Sequence, residues 1–192
     1  MKKLSLQILL GSTRPNRFGD KAAQWILDIA KKNERFDVQL VDLRDWPLPM
    51  YEEKVSLAYA NAEGDLAKKW ASMVAKADAY IIVTPEYNHG YPAVLKNALD
   101  YAYPEWNDKP VGFVSYGSVG GARSVEQLRQ VAVELHMASV RQAVHIVAPW
   151  LLVESSGALK DGALQVHEEA AGTMLGQIIR WGDAFASMRP QK

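Results

Sequence analysis

Short apolar runs of strand length alternate with amphipathic helical segments along the chain. Leu4 to Leu10 is a nearly continuous apolar run, as expected for a strand covered on both faces. A helical pattern follows from Lys21, with Ala22 and Ile26 on one face. The same alternation predicts further strands near 36–41, 79–83, 111–114 and 143–147, and further helices near 65–77, 92–101, 122–136 and 165–188.

Strands that alternate with helices form a parallel sheet with helices on both faces. Five strands predict an α/β, flavodoxin-like, doubly wound five-stranded parallel sheet of order 2-1-3-4-5 with right-handed crossovers. The 192 residues suffice for one domain with a sizeable core, and no repeat or linker divides them. We therefore expect a single flavodoxin-like domain over residues 1–192.

The composition excludes several classes of function. Lys plus Arg and Asp plus Glu both number 22, and this balance argues against nucleic-acid binding. It also argues mildly against an acidic electron carrier that docks by charge. The chain has no cysteine, so it cannot form disulfides, thiol nucleophiles or iron–sulfur clusters. Any redox chemistry must therefore depend on an organic cofactor.

The pattern of residues predicts neither a metal-binding protein nor a membrane protein. The four histidines, His89, His136, His145 and His167, are spread without metal-ligand spacing, so we expect no metal site. No apolar stretch approaches the roughly 18 residues of a membrane span. We therefore expect a cytoplasmic protein that does not bind a membrane.

The loop after the first predicted strand has the composition of a phosphate site. In this architecture ligands bind beyond the carboxyl ends of the strands, and a helix N-terminus there favours an anion. Ser12 and Thr13 add hydroxyl groups, and Arg14 and Arg17 add charge. The segment lacks the glycine order of dinucleotide and triphosphate loops, which favours a monophosphate. The alternative is a polar turn with a surface arginine pair.

Two more unusual loops follow the third and fourth predicted strands. Between Pro85 and Pro92, two tyrosines and Asn88 lie on a stiff backbone, which suits either a flat ligand or a capped turn. Between Tyr116 and Arg123, three glycines permit close approach of a ligand to backbone N–H groups. Glycines also make tight turns, so the third loop alone is weak evidence for a ligand site. The evidence is stronger because all three loops are expected at one edge of the sheet.

Four segments carry a resemblance to a known family: Gly11-Ser12-Thr13-Arg14, Thr84-Pro85-Glu86-Tyr87-Asn88, Leu95-Lys96-Asn97-Ala98-Leu99-Asp100-Tyr101 and Tyr116-Gly117-Ser118-Val119-Gly120-Gly121-Ala122-Arg123. From Leu4 to about Val147, the chain resembles the NAD(P)H-dependent FMN reductases, which are flavodoxin-like quinone, azo-dye and chromate reductases. The resemblance implies tightly bound FMN and NADPH or NADH as hydride donor. It also implies ping-pong transfer to flavin, quinone or a similar small acceptor.

The resemblance also implies site residues and an assembly. The first loop would hold the phosphate, the second would line the ring and ribityl side, and the third would close the other ring edge, without a catalytic side chain. The implied cofactor-binding residues are Gly11, Ser12, Arg14, Arg17, Phe18 and Gly19, then Pro85, Glu86, Tyr87 and Asn88, then Tyr116, Gly117, Ser118, Gly120 and Gly121. A homodimer or homotetramer is implied, with Tyr103 and Trp106 as candidates for a subunit contact.

Two other functions remain open at this stage. A flavodoxin-like electron carrier would bind the same cofactor without substrate turnover. A flavin-free regulatory or partner-binding domain is also compatible, because a fold does not determine a function.

Overall fold

The computed structural model describes residues 3–188. Its strands are β1 Leu4–Leu10, β2 Phe36–Asp42, β3 Ala79–Pro85, β4 Pro110–Gly117, β5 Ala138–Ser139 and β6 Val144–Val147. Its helices are α1 Gly19–Lys31, α2 Asp65–Ala75, α3 Ala93–Asp100, α4 Ala122–Glu134 and α5 Glu168–Ala186. The expected domain of residues 1–192 extends at both ends beyond the described residues and stays a prediction.

The strands form one parallel sheet of order β2-β1-β3-β4-β5, with β6 also paired to β4. The predicted doubly wound order is therefore confirmed. The fifth position holds two short strands instead of one. β5 pairs with the start of β4 and β6 pairs with its end. Arg129 of α4 occupies the break, where it donates to the carbonyl oxygens of Val140 at 2.8 Å and Arg141 at 2.9 Å.

Alternate strand residues point to the two faces of the sheet, and each face has its own apolar cluster. On one face, Leu9 and Ile82 pack with side chains of α2, α3 and α4. On the other face, Ile8 and Ile81 pack with side chains of α1 and α5. Both faces are therefore covered, as expected for a parallel sheet.

The expected subunit contact of Trp106 is wrong. The side chain is fully buried within the chain, and its ring packs edge-on against Tyr80 at 4.8 Å between centroids. Its indole N–H donates to the Leu99 carbonyl oxygen at 3.1 Å. A tryptophan with its hydrogen bond and apolar contacts satisfied inside the fold has no surface to offer a partner.

Within residues 3–188, no helix is both long and apolar enough to cross a lipid bilayer. Because all strands are parallel, the loops after β1, β3, β4 and β6 leave the sheet at the same edge. This edge carries the candidate site.

Candidate functional site

A cleft of about 550 Å³ opens at the carboxyl edge of the sheet. This volume falls within the roughly 300–1,000 Å³ usual for cofactor sites. All three predicted loops line it, together with a segment that follows β6. The lining residues are Arg14, Asn16, Arg17 and Phe18 from the first loop, Lys21 from the first turn of α1, Pro85, Glu86 and Tyr87 from the second loop, Tyr116, Gly117 and Ser118 from the third, and Pro149, Trp150, Val153 and Gly157 after β6.

The first turn of α1 faces the cleft without a side-chain cap. Phe18 occupies the N-cap position, and its side chain does not cap the helix. The first backbone N–H groups of a helix have no intrahelical partner, and the helix dipole adds partial positive charge there. Arg14 is exposed at this end of the cleft and makes no ion pair with another described residue. An anion would therefore meet unused donors and a free cation.

Arg17 differs from the expectation that its side chain holds a phosphate. Its side chain is 1% exposed, and its guanidinium donates to the Ser12 carbonyl oxygen and to Asp42. It also donates to Asp20 at 2.7 and 2.9 Å. Arg44 binds the same two carboxylates, at 2.7 Å to Asp42 and 3.1 Å to Asp20. Arg17 is therefore taken up by the protein and fixes the first loop to the end of β2.

The arginine pair shifts the ionisation of Asp42. Burial by itself opposes the charged carboxylate, but hydrogen bonds from Arg17 and Arg44 outweigh it and lower the pKa of Asp42 to about 2. Asp42 is therefore ionised in the folded protein at neutral and mildly acidic pH, where it can pair with the Arg17 guanidinium.

We expect this carboxylate to make the protein acid-sensitive. The folded pKa lies below the ordinary 3.8, so the stabilisation is complete above about pH 4 and is lost as the pH falls towards 2. Because Asp42 is partly exposed, we expect its ionisation to contribute about 1–2 kcal/mol to the free energy of unfolding. Urea midpoints from pH 5 to pH 2 should fall more steeply for the native chain than for Asp42→Asn. Parallel curves would contradict this assignment.

Tyr116 presents a buried hydroxyl beside the start of α1. The ring lies 5.4 Å from that of Phe18. The Gly19 backbone N–H faces the hydroxyl oxygen, but no described residue accepts the hydroxyl proton. Burial raises the pKa of this tyrosine, so it remains a proton donor. A Cβ at Gly19 would lie 2.7 Å from the hydroxyl oxygen, so a larger residue there would displace the Tyr116 hydroxyl. The Tyr116 hydroxyl thus lies at the predicted phosphate end and not at the ring edge.

The second loop is a tight hairpin that joins the first loop. Tyr87 and Gly90 exchange backbone hydrogen bonds of 2.8 and 3.0 Å. Asn88 and His89 between them have φ values of 49° and 70°, as in a type I′ turn. The Tyr87 hydroxyl lies 2.8 Å from the buried Ser12 Oγ. The tyrosine ring is thereby held at the cleft, whereas Asn88 forms the turn behind it.

Glu86 anchors this hairpin to α4. Its carboxylate is 5% exposed and accepts hydrogen bonds from the Arg123 side chain at 2.6 Å and the Arg123 backbone N–H at 3.1 Å. The Ser124 hydroxyl is placed to donate to the carbonyl oxygens of Pro85 at 2.9 Å and Gly90 at 2.7 Å. These contacts make the second loop rigid, so its surface toward the cleft is pre-formed.

The glycines of the third loop divide into two groups. Gly117 lines the cleft, followed by Ser118. Gly120 and Gly121 adopt left-handed φ values of 71° and 76°, and a Cβ on them would approach His145 Cβ to 2.9 Å and Ser115 Cβ to 2.6 Å. The Gly120 N–H already donates to the Gly117 carbonyl oxygen at 3.1 Å. These two glycines therefore shape the turn from behind.

Most of the predicted site residues meet in one place. Ser12, Gly11, Gly19, Asn88, Gly120 and Gly121 support the cleft without lining it, whereas the other nine line it. Sequence reasoning missed Lys21, Asn16 and the segment after β6. The signal for that segment was available, because it follows a parallel strand at the same sheet edge as the three predicted loops.

Comparisons with known proteins identify the family of this chain. The sequence model of the family described as NADPH-dependent FMN reductase matches residues 4–150. An NAD(P)H-dependent FMN reductase of Schizosaccharomyces pombe is 44% identical over 133 residues, which are 68% of this chain and 66% of that protein. A quinone reductase of Pseudomonas putida is 30% identical over 82% of this chain and 85% of its own length.

A solved structure shows the same fold. The flavoenzyme FerB, an NAD(P)H:(acceptor) oxidoreductase from Paracoccus denitrificans, superposes with a TM-score of 0.73 over 95% of this chain and 98% of that one, at 21% identity. At that identity the superposition supports the fold alone, whereas the family match spans most of the chain and includes all three predicted loops. Together with the flavodoxin-like sheet, this match places the chain in the NADPH-dependent FMN reductase family.

Proposed function

We propose that the cleft binds FMN and that the protein is an NAD(P)H-dependent oxidoreductase that reduces flavin, quinone or a similar small acceptor. The observation that carries this proposal is the buried Tyr116 hydroxyl beside the uncapped start of α1. A buried hydroxyl that donates to no acceptor costs about 1–3 kcal/mol, so a ligand that accepts its hydrogen bond is favoured. Membership of the FMN reductase family identifies that ligand as FMN.

The residues present fit the phosphate of FMN. The N–H groups at the start of α1 and the Tyr116 hydroxyl supply neutral donors, and Arg14 supplies charge. Charge-assisted hydrogen bonds are roughly twice as strong as neutral ones. Lys21 lies in the first turn of α1 and adds a second cation to the cleft. We assign the phosphate to this end.

The second and third loops fit the flat ring. Tyr87 and Pro85 offer rigid apolar surface, and Gly117 and Ser118 bring backbone close to the cleft. When bound, FMN supplies the chemistry of accepting a hydride and passing electrons on. Backbone N–H groups at Gly117 and Ser118 would stabilise negative charge on the ring edge. No side chain is needed as an acid, a base or a nucleophile.

The alternative of an electron carrier without turnover is less well supported. The similar proteins named above are reductases, and this chain is electrically neutral. Turnover separates the two functions. Steady oxidation of NADPH with a quinone, with parallel double-reciprocal plots, supports the ping-pong enzyme, whereas a single reduction without turnover supports the carrier.

We expect Arg14→Ala to weaken FMN binding. The substitution removes a charge-assisted contact of about 1.5–3 kcal/mol, which corresponds to roughly a 10- to 150-fold rise in Kd. Titration of apoprotein with FMN measures the change. Arg180→Ala removes the same charge from an exposed position on α5 and should leave Kd unchanged. Equal Kd values for the Arg14 variant and the native chain would exclude this role.

Assembly and location complete the proposal. A homodimer or homotetramer stays a prediction from the resemblance, and a cytoplasmic location stays a prediction from the pattern of apolar residues. Light scattering on the purified protein distinguishes a monomer from both assemblies.

A further inference from the structure

The segment after β6 forms a fourth wall of the cleft, which we define as residues 148–160. It begins with Ala148 in a left-handed conformation and continues through the short 3-10 helix Pro149–Leu152. A hairpin follows, in which Val153 bridges Leu159 and the Gly157 N–H donates to the Glu154 carbonyl oxygen at 2.8 Å. The segment therefore has defined structure of its own.

Hydrogen bonds at both ends fix the fourth wall relative to the cleft. The Ala148 N–H donates to the Gly117 carbonyl oxygen at 2.9 Å, which ties the wall to the third loop. The Lys160 N–H donates to the Leu152 carbonyl oxygen at 2.9 Å, and Leu152 and Leu159 pack on the α1–α5 side of the core. The wall is thus held beside the loop assigned to the ring.

Trp150 is the large apolar side chain of this wall that faces the cleft. It is 60% exposed although it lines the same space as Tyr87 and Ser118. Its neighbour Leu151 is 64% exposed but does not line the cleft. A tryptophan at a ligand cleft gains free energy when a flat ring covers it, through apolar burial and stacking.

The family match ends at residue 150, so Trp150 is the last matched residue and residues 151–160 of the wall lie outside the match. The first three loops carry the residues assigned to FMN. A ping-pong reaction also requires open space beside the ring, where donor and acceptor bind in turn. The fourth wall borders the cleft without being needed for the phosphate or for either ring edge.

We propose that Trp150 is the stacking surface for the planar ring of the redox substrate, the nicotinamide or the quinone, and that the fourth wall sets substrate preference. The proposal rests on the proposed function, because it assumes a flavin in the same cleft. It assigns Trp150 to the substrate and not to FMN.

The test compares Trp150→Ala and Trp150→Phe with Leu151→Ala, an exposed neighbour outside the cleft. Loss of a stacked ring should lower kcat/KM for quinone or for NADPH about tenfold in Trp150→Ala. Trp150→Phe should recover most of the loss, and Leu151→Ala should match the native enzyme. The Kd for FMN, measured on apoprotein, should be the same in all four proteins.

Two further measurements distinguish the two substrates without steady-state turnover. Titration of the oxidised holoprotein with quinone, followed by the flavin spectrum, gives the affinity for the acceptor. Anaerobic single-turnover reduction gives the apparent affinity for NADPH. Weakening of either in Trp150→Ala supports the proposal and identifies which ring stacks.

The proposal is overturned if both substrate affinities are unchanged in Trp150→Ala, or if the variant loses FMN instead. Failure of the native chain to bind FMN would instead refute the proposed function itself.

Discussion

Replacing Gly121 with alanine is expected to lower the free energy of unfolding by about 3–5 kcal/mol. Gly121 has a φ of +76°, and a new Cβ would lie 2.6 Å from Ser115 Cβ and 2.8 Å from the Tyr116 backbone nitrogen. A left-handed alanine is strained, and the clash is with a central strand that cannot move aside. Thermal unfolding should shift downward by roughly 10 °C.

Gly157 provides a matched control for this prediction. It also has a left-handed φ, of +82°, but no atom lies within 4 Å of an added Cβ. Gly157→Ala therefore carries the backbone strain without the clash, and we expect a loss of about 1 kcal/mol. Equal losses of unfolding free energy in the two variants would show that the clash of the new Cβ with β4 does not destabilise the protein.

The second large effect is expected from Arg17→Met, which retains the apolar stem but removes the guanidinium. The Arg17 side chain is 1% exposed, so its loss leaves Asp42 and the Ser12 carbonyl without a buried donor. Breaking a buried ion pair costs about 3–5 kcal/mol. Arg44 still contacts both carboxylates in this variant. We therefore expect the free energy of unfolding of the apoprotein, measured with urea, to fall by about 2–3 kcal/mol.

Arg44→Met is the control for Arg17. Arg44 binds the same carboxylates, but its side chain is 47% exposed, and exposed ion pairs contribute little to stability. We expect a clearly smaller loss than for Arg17→Met. If the two variants unfold at the same urea concentration, then Arg17 has no special structural role and is free to serve the ligand.

The sheet could be predicted because its signals are local. The apolar run Leu4–Leu10 coincides with β1, and the order of the strands follows from their alternation with helices. The fifth position could not be predicted in detail. At its division into β5 and β6, the Arg129 guanidinium donates to the carbonyl oxygens of Val140 and Arg141, and this contact is not visible in the pattern of apolar residues.

Composition was sufficient to predict which loops form the cleft, but it does not show which side chains pair within the protein. The three loops meet at one edge because parallel strands end together. Arg17, in contrast, was expected to bind phosphate because its charge lies in the first loop. Its ion pair with Asp42 is not visible in the sequence, since Asp42 is 25 residues away. Trp106 failed for the same reason, since its burial depends on distant aromatic rings. Trp150 was overlooked because it follows a short strand with no glycine or phosphate-loop signal.

The central claim is that this cleft binds FMN through its phosphate. The most direct measurement is titration of the apoprotein with FMN and with riboflavin, which has the same ring but no phosphate. We predict one FMN per chain, bound at least about 100-fold more tightly than riboflavin, and loss of the yellow absorption when NADPH is added without oxygen. Equal affinities for the two flavins, or no binding of either, would contradict the account.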